Sequence, residues 1–210
     1  MNDFETVNFT KQLKGAIVLD AVSAPELGVV TDLLLDPARG TPLALLIQSL
    51  AGREEALFPE NFLIHDEPRA VISDGEAVTD EAELANLLNE GVRAGGELIG
   101  SDIVARDGKL FGRISKVFLE IAPLRAIYYF TASFRQRFFE DGSYLVGNVP
   151  GQYSRIGGRL IVPSDAEKYY IFGSLGESIK AWRQEQAVAE SIYRPTNSDY
   201  SWITITRTSV

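Results

Sequence analysis

The chain has 210 residues, of which 45% are hydrophobic and 23% are charged, a composition typical of a folded globular protein. It contains no cysteine and a single histidine, which excludes disulfide frameworks and thiolate metal sites and disfavours zinc or transition-metal sites. The polar N-terminal residues and the short apolar runs predict neither a signal peptide nor a membrane span, so we expect a cytoplasmic protein.

Short strands dominate the first half. Residues 1–12 are predicted to form an arm, and five or six apolar stretches between Leu13 and Ile72 are typical of short strands. Their close spacing predicts a small closed β-barrel. The sequence Asp80-Glu81-Ala82-Glu83 is typical of a capping box and predicts a helix that ends near Gly91. Residues 13–91 therefore form the first predicted unit, a barrel plus a helix.

The second half repeats this order. Gly100 follows Gly15 by 85 residues and Gly112 follows Gly28 by 84, which indicates an internal duplication. Beyond Gly112 the two copies drift apart, and the second contains an insertion whose place the sequence does not define.

The remaining boundaries follow from this repeat. Residues 92–97 are predicted to be a linker, and residues 98–190 to form the second barrel with its helix, which begins at a second capping box, Ser174-Leu175-Gly176-Glu177. Residues 191–210 contain a stretch of period two, Trp202-Ile203-Thr204-Ile205-Thr206, which predicts a strand. Such a strand must pair with a sheet edge of this chain or of another subunit.

Charge is distributed unevenly between the halves. Residues 1–96 contain 6 Lys or Arg and 17 Asp or Glu, whereas residues 97–210 contain 14 and 12. The net charges are −11 and +2, within a total of −9. This asymmetry indicates head-to-tail self-association or two solvated surfaces of different composition.

The repeated stretch has the form Leu-x-Gly-x-x-Val, a polar turn, and then (Leu/Phe)-Gly-x-(Val/Ile)-x-x-(Leu/Val). It resembles the PRC-barrel domain, found in the H subunit of purple bacterial photosynthetic reaction centres and in a ribosome maturation factor. The resemblance implies a mainly β prokaryotic protein of two tandem barrels, each followed by a helix, which makes protein contacts and has no catalytic residues. The matching residues are Gly15, Val18, Gly28, Val30 and Leu33, and then Gly100, Val104, Gly112, Ile114 and Val117.

Residues capable of chemistry are few. His65 would have to serve any Ser-His-Asp system, and its sequence neighbours Asp66 and Glu67 do not supply an oriented third member. Asp32 with Asp36, or Glu54 with Glu55, could hold a hard cation, but the ligand spacing of a calcium loop is absent. We predict no catalytic residue, no metal site and no cofactor.

The strongest candidate for a contact surface is the segment from Phe130 to Phe139. Aromatic and arginine side chains alternate there, as they do in protein interfaces and in sites that stack on nucleic-acid bases. The same phenylalanines could instead cover one end of the barrel. The predicted partner-binding residues are Phe134, Arg135, Arg137, Phe138 and Phe139, together with Trp202 of the C-terminal strand.

These observations predict a non-enzymatic adaptor or scaffold that binds protein partners, including itself as a homodimer. One alternative is an accessory factor that binds RNA or the ribosome, and the other is a small-ligand-binding protein or enzyme. The phosphate contacts of an RNA-binding protein would come from Arg106, Lys109, Arg113, Lys116 and Arg125. The acidic pI of about 4.7 opposes nucleic-acid binding.

Overall fold

The fold is mainly β with a few helices, as predicted, and its strands form two mixed sheets. The computed structural model describes residues 6–65, 70–73, 80–121, 124–132, 142–146 and 152–192. No helix within these ranges is long and apolar enough to cross a membrane.

The first sheet is formed by residues of the first half. Its strand order is β5-β4-β3-β2-β7-β6, and all pairs are antiparallel except β2 with β7. A 3₁₀ turn, Pro59–Asn61, links β5 to β6. The strands are β2 (Ile17–Asp20), β3 (Glu26–Asp36), β4 (Thr41–Ser49), β5 (Glu54–Leu57), β6 (Phe62–His65) and β7 (Ala70–Ser73).

The second sheet has the order β13-β14-β9-β10-β11-β12-β15, in which β9 and β14 are the parallel pair. Neither sheet closes on itself through the pairings of the described residues, so the predicted closure into barrels is not among them. The strands are β9 (Asp102–Ala105), β10 (Leu110–Ile121), β11 (Leu124–Thr131), β12 (Ser143–Val146), β13 (Gln152–Ser154), β14 (Arg159–Val162) and β15 (Ile171–Phe172).

Each sheet gains one more strand from outside its own half. The segment before the first half pairs with the second sheet, and the segment before the second half pairs with the first sheet. Strand β1 (Thr6–Asn8) pairs with β10, and β8 (Val92–Arg93) pairs with β3. A π-helical turn follows each of these strands, at Phe9–Leu13 and Ala94–Leu98. The predicted arm therefore contains β1, and the predicted linker contains β8.

The two halves share one hydrophobic core. Its buried residues include Val7 and Leu33 of the first half and Val117 and Tyr128 of the second. The backbone amide of Ala126 also donates to the carbonyl of Gly40 at 2.9 Å. Burial of Tyr128, with a smaller effect of the Asp36 carboxylate, raises the pKa of its phenol. The halves are thus packed together rather than joined only by a linker.

The repeated motif contains two pairs of glycines, and the structure shows why each position needs glycine. Gly15 and Gly100 have φ of +82° and +99°, which L side chains rarely adopt, and their amides donate to Val30 and Ile114 at 2.8 Å. At Gly28 and Gly112 a Cβ atom would overlap the backbone of the neighbouring strand. The motif therefore marks one turn and one close strand contact in each half.

The helices begin where the sequence predicted. In α1 (Glu81–Glu90), the Asp80 carboxylate accepts hydrogen bonds from the amides of Ala82 and Glu83. A short helix, α2 (Ala166–Tyr169), precedes β15. In α3 (Leu175–Ile192), the Ser174 hydroxyl accepts from the Glu177 amide at 3.2 Å.

The two long helices cover different sheets. Leu84, Leu87 and Leu88 of α1 pack on the outer face of the first sheet, and α3 contacts β12 and β15 of the second. Arg155, in the β13–β14 turn, donates to the carbonyls of Leu88, Asn89 and Gly91 and so caps the C-terminus of α1. This contact ties the helix of the first half to a hairpin of the second.

Candidate binding cleft

The two halves differ in the length of the connection that follows β4 in the first sheet and β11 in the second. Residues 50–53 join β4 to β5, whereas residues 132–142 join β11 to β12. The second connection is seven residues longer than the first. The predicted partner-binding residues Phe134, Arg135, Arg137, Phe138 and Phe139 belong to it and lie outside the described residues, as does Trp202.

A cleft of about 350 Å³ lies where this connection leaves the second sheet. Its polar lining comes from neighbouring strands: Asp102 from β9, Arg113 and Ser115 from β10, and Thr131 from β11. Leu110 and Ile99 add apolar surface. The volume lies at the lower end of the range of about 300–1,000 Å³ for small-molecule sites.

An ion pair forms part of the cleft wall. The Arg113 Nε donates to Asp102 Oδ1 at 3.0 Å, and the two side chains are 64% and 28% exposed. At this exposure the pair adds little to stability, because water screens it. The terminal nitrogens of Arg113 and the second oxygen of Asp102 make no hydrogen bond to the described residues. Opposite charges are therefore available side by side.

Ser115 is placed in the cleft lining by a β-bulge. The pairing of β10 with β11 passes from Ile114–Phe130 to Lys116–Tyr129, which leaves Ser115 as the extra residue. Its Oγ is buried and has no hydrogen-bond partner among the described residues. Thr31 is the extra residue of the corresponding bulge in β3, but its hydroxyl donates to the Leu46 carbonyl at 3.1 Å.

Three of the four acidic residues considered as cation ligands have other partners. Asp32, 6% exposed, accepts from the backbone amides of Gly95 and Gly96 at 2.8 and 3.1 Å and so caps the second π-helical turn. Asp36 accepts from the amides of its own turn. Glu54 pairs with Arg93 through two hydrogen bonds, which raise the pKa of Arg93. No group of three metal-ligating side chains occurs among the residues that the structure describes.

His65 ends β6, and its backbone is paired with Ala70 of β7. The position of its side chain is outside the described part of the chain.

A buried charge cluster links the second sheet to α3. Glu120 of β10 is completely buried and accepts from Arg125 at 3.1 Å and from Arg183 of α3 at 3.0 and 2.8 Å. Arg125 itself is 2% exposed. The prediction of Arg125 as a phosphate contact is wrong, because its guanidinium is enclosed in the fold. Lys109 is also engaged, in an ion pair with Glu167.

Sequence reasoning did not single out Asp102 and Ser115, and it considered Arg113 only as a phosphate contact. A signal for them existed in the repeat itself. Asp102 and Arg113 occupy the strand positions that Ile17 and Val29 hold in the first half. Two opposite charges therefore stand where the first half has two apolar side chains, and this difference can be read from the sequence.

Neither a scan against protein-family models nor a search of curated proteins finds a match to this chain.

Proposed function

We propose that this protein is a non-catalytic adaptor that binds another protein through the β11–β12 connection. We also propose that its two halves are PRC-like barrels related by internal duplication. Support for the second proposal comes from the common strand order, the parallel pairs β2·β7 and β9·β14, and the glycine pairs at the same positions.

One observation carries the adaptor proposal. A four-residue turn in the first half is replaced at the same place of the second by a connection of eleven residues. Long connections on a rigid sheet are common sites of recognition. This one contains three phenylalanines and two arginines between Phe134 and Phe139, which are residue types enriched where interfaces have their binding energy.

The test compares two aspartate substitutions in the full-length protein. Phe138→Asp changes the long connection, and Leu50→Asp changes the short turn of the first half, where Leu50 is 72% exposed. Proteins retained by the immobilised wild type are identified by mass spectrometry, purified singly and titrated. Light scattering measures self-association in parallel.

We expect Phe138→Asp to weaken binding by at least ~10-fold, which corresponds to about 1.4 kcal/mol, and Leu50→Asp to leave it unchanged. If both variants match the wild type in partner affinity and oligomeric state, the adaptor surface is not this connection. An RNA partner in place of a protein would also contradict the proposal.

A further inference from the structure

The cleft of the second sheet has a natural comparison within the same chain. The first half has the same bulge, the same close strand contact at Gly28 and the same turn at Gly15. It has Ile17 and Val29 where the cleft has Asp102 and Arg113. The fold alone therefore does not require charges at these two positions.

The two charges define what a ligand must carry. A free guanidinium edge favours a carboxylate, which it can bind through two parallel hydrogen bonds. Asp102, 3.0 Å from the same guanidinium, would repel a ligand that is only anionic. A ligand with a carboxylate and a cationic donor close together satisfies both side chains at once.

The remaining lining residues determine the size and polarity of the ligand that the cleft can hold. Leu110, 60% exposed, and Ile99 offer apolar contact beside the charges. Ser115 also lines the cleft, and its buried hydroxyl has no partner among the described residues, which is unfavourable for a polar group. The volume of about 350 Å³ admits a small molecule but not a dinucleotide.

We propose that this cleft binds a free α-amino acid with an apolar side chain. Its carboxylate binds the terminal nitrogens of Arg113, its ammonium group binds Asp102, and its side chain contacts Leu110 and Ile99. This small-molecule site is a second binding function, adjacent to the start of the β11–β12 connection.

The test uses L-leucine as the probe and calorimetric titration of the full-length protein. N-acetyl-L-leucine retains only the carboxylate, and L-leucine amide retains only the ammonium group. We expect saturable binding of L-leucine and at least ~10-fold weaker binding of both analogues. Arg113→Gln and Asp102→Asn should each weaken L-leucine binding by at least ~10-fold.

Arg39→Gln is the matched control, because Arg39 forms an exposed ion pair with Asp36 away from the cleft. This variant should bind L-leucine like the wild type, and circular dichroism should show that all three variants are folded. The proposal is overturned if the wild type shows no saturable binding of L-leucine, if either analogue binds equally well, or if Arg113→Gln has no effect. The test does not involve Phe138, so its failure leaves the adaptor proposal standing.

Discussion

β3 and β10 hold the same place in their sheets, yet their side chains have different tasks. In β3, Val29 is apolar, Asp32 caps the second π-helical turn and Asp36 organises a turn. At the corresponding places β10 has Arg113 in the cleft wall, Lys116 over the Tyr129 ring at 5.1 Å, and Glu120 in a buried charge cluster. The second strand thus contributes more to charged contacts.

Comparing the two strands separates the positions whose residue type the backbone requires from the positions whose side chains can vary. Both strands keep a glycine against a neighbouring strand and one extra residue at a bulge, because these set the close approach and the bend. Positions between these fixed points can change from apolar to charged without altering the strand order. Function in such a pair of sheets is therefore best sought where corresponding residues differ in chemistry.

The largest expected difference between the sheets is in the stability lost when a carboxylate is neutralised, at Glu120 and at its counterpart Asp36. Glu120→Gln removes the carboxylate that two arginine side chains contact in a buried site, so we expect a loss of about 3–5 kcal/mol in the free energy of unfolding. Asp36→Asn, in a half-buried turn, should cost about 1 kcal/mol. Urea unfolding monitored by tryptophan fluorescence measures both, and equal losses would contradict the comparison.

The glycine contacts should resist substitution in both halves, and more strongly at Gly112, whose φ of +155° L side chains rarely adopt. Gly28→Ala and Gly112→Ala each force a methyl group against the adjacent backbone, and we expect each to lower stability by about 1–3 kcal/mol. Gly176→Ala in α3, with open space around its Cα, is the control and should be neutral or stabilise by up to about 1 kcal/mol. A large loss at only one of the two strand glycines, measured by urea unfolding, would show that the sheets are not built in the same way there.

Local signals in the sequence were sufficient for the starts of the two long helices and for one hairpin. The N-termini of α1 and α3 follow from Asp80 and Ser174, because a cap acts within three residues. The hairpin between β9 and β10 follows from Asp107-Gly108, where Gly108 has φ of +91°. These interactions depend on neighbours in sequence, so a pattern of residue types reveals them.

Those local signals do not predict which strands pair when they are distant in sequence. The attachment of β1 to β10 joins residues more than 100 positions apart, and no local pattern at Thr6–Asn8 specifies it. The cleft likewise depends on a bulge at Ser115 that an apolar alternation does not reveal. The buried charge cluster at Glu120 was missed because, besides its sequence neighbour Arg125, it includes Arg183 on a helix that follows much later in the chain. Of the polar side chains that line the cleft, only that of Arg113 was named beforehand, and for another role.

The smallest expected effect is a difference in stability between substitutions at the two bulges. Thr31→Val removes the hydrogen bond to the Leu46 carbonyl while keeping a branched side chain, so stability should fall by about 1 kcal/mol. Ser115→Ala removes a buried hydroxyl that has no partner among the described residues, so stability should stay the same or rise. Urea unfolding of both variants under one set of conditions measures the difference in sign. If Ser115→Ala destabilised as much as Thr31→Val, the Ser115 hydroxyl would already be satisfied within the fold, and it would not be free to contact a ligand in the cleft.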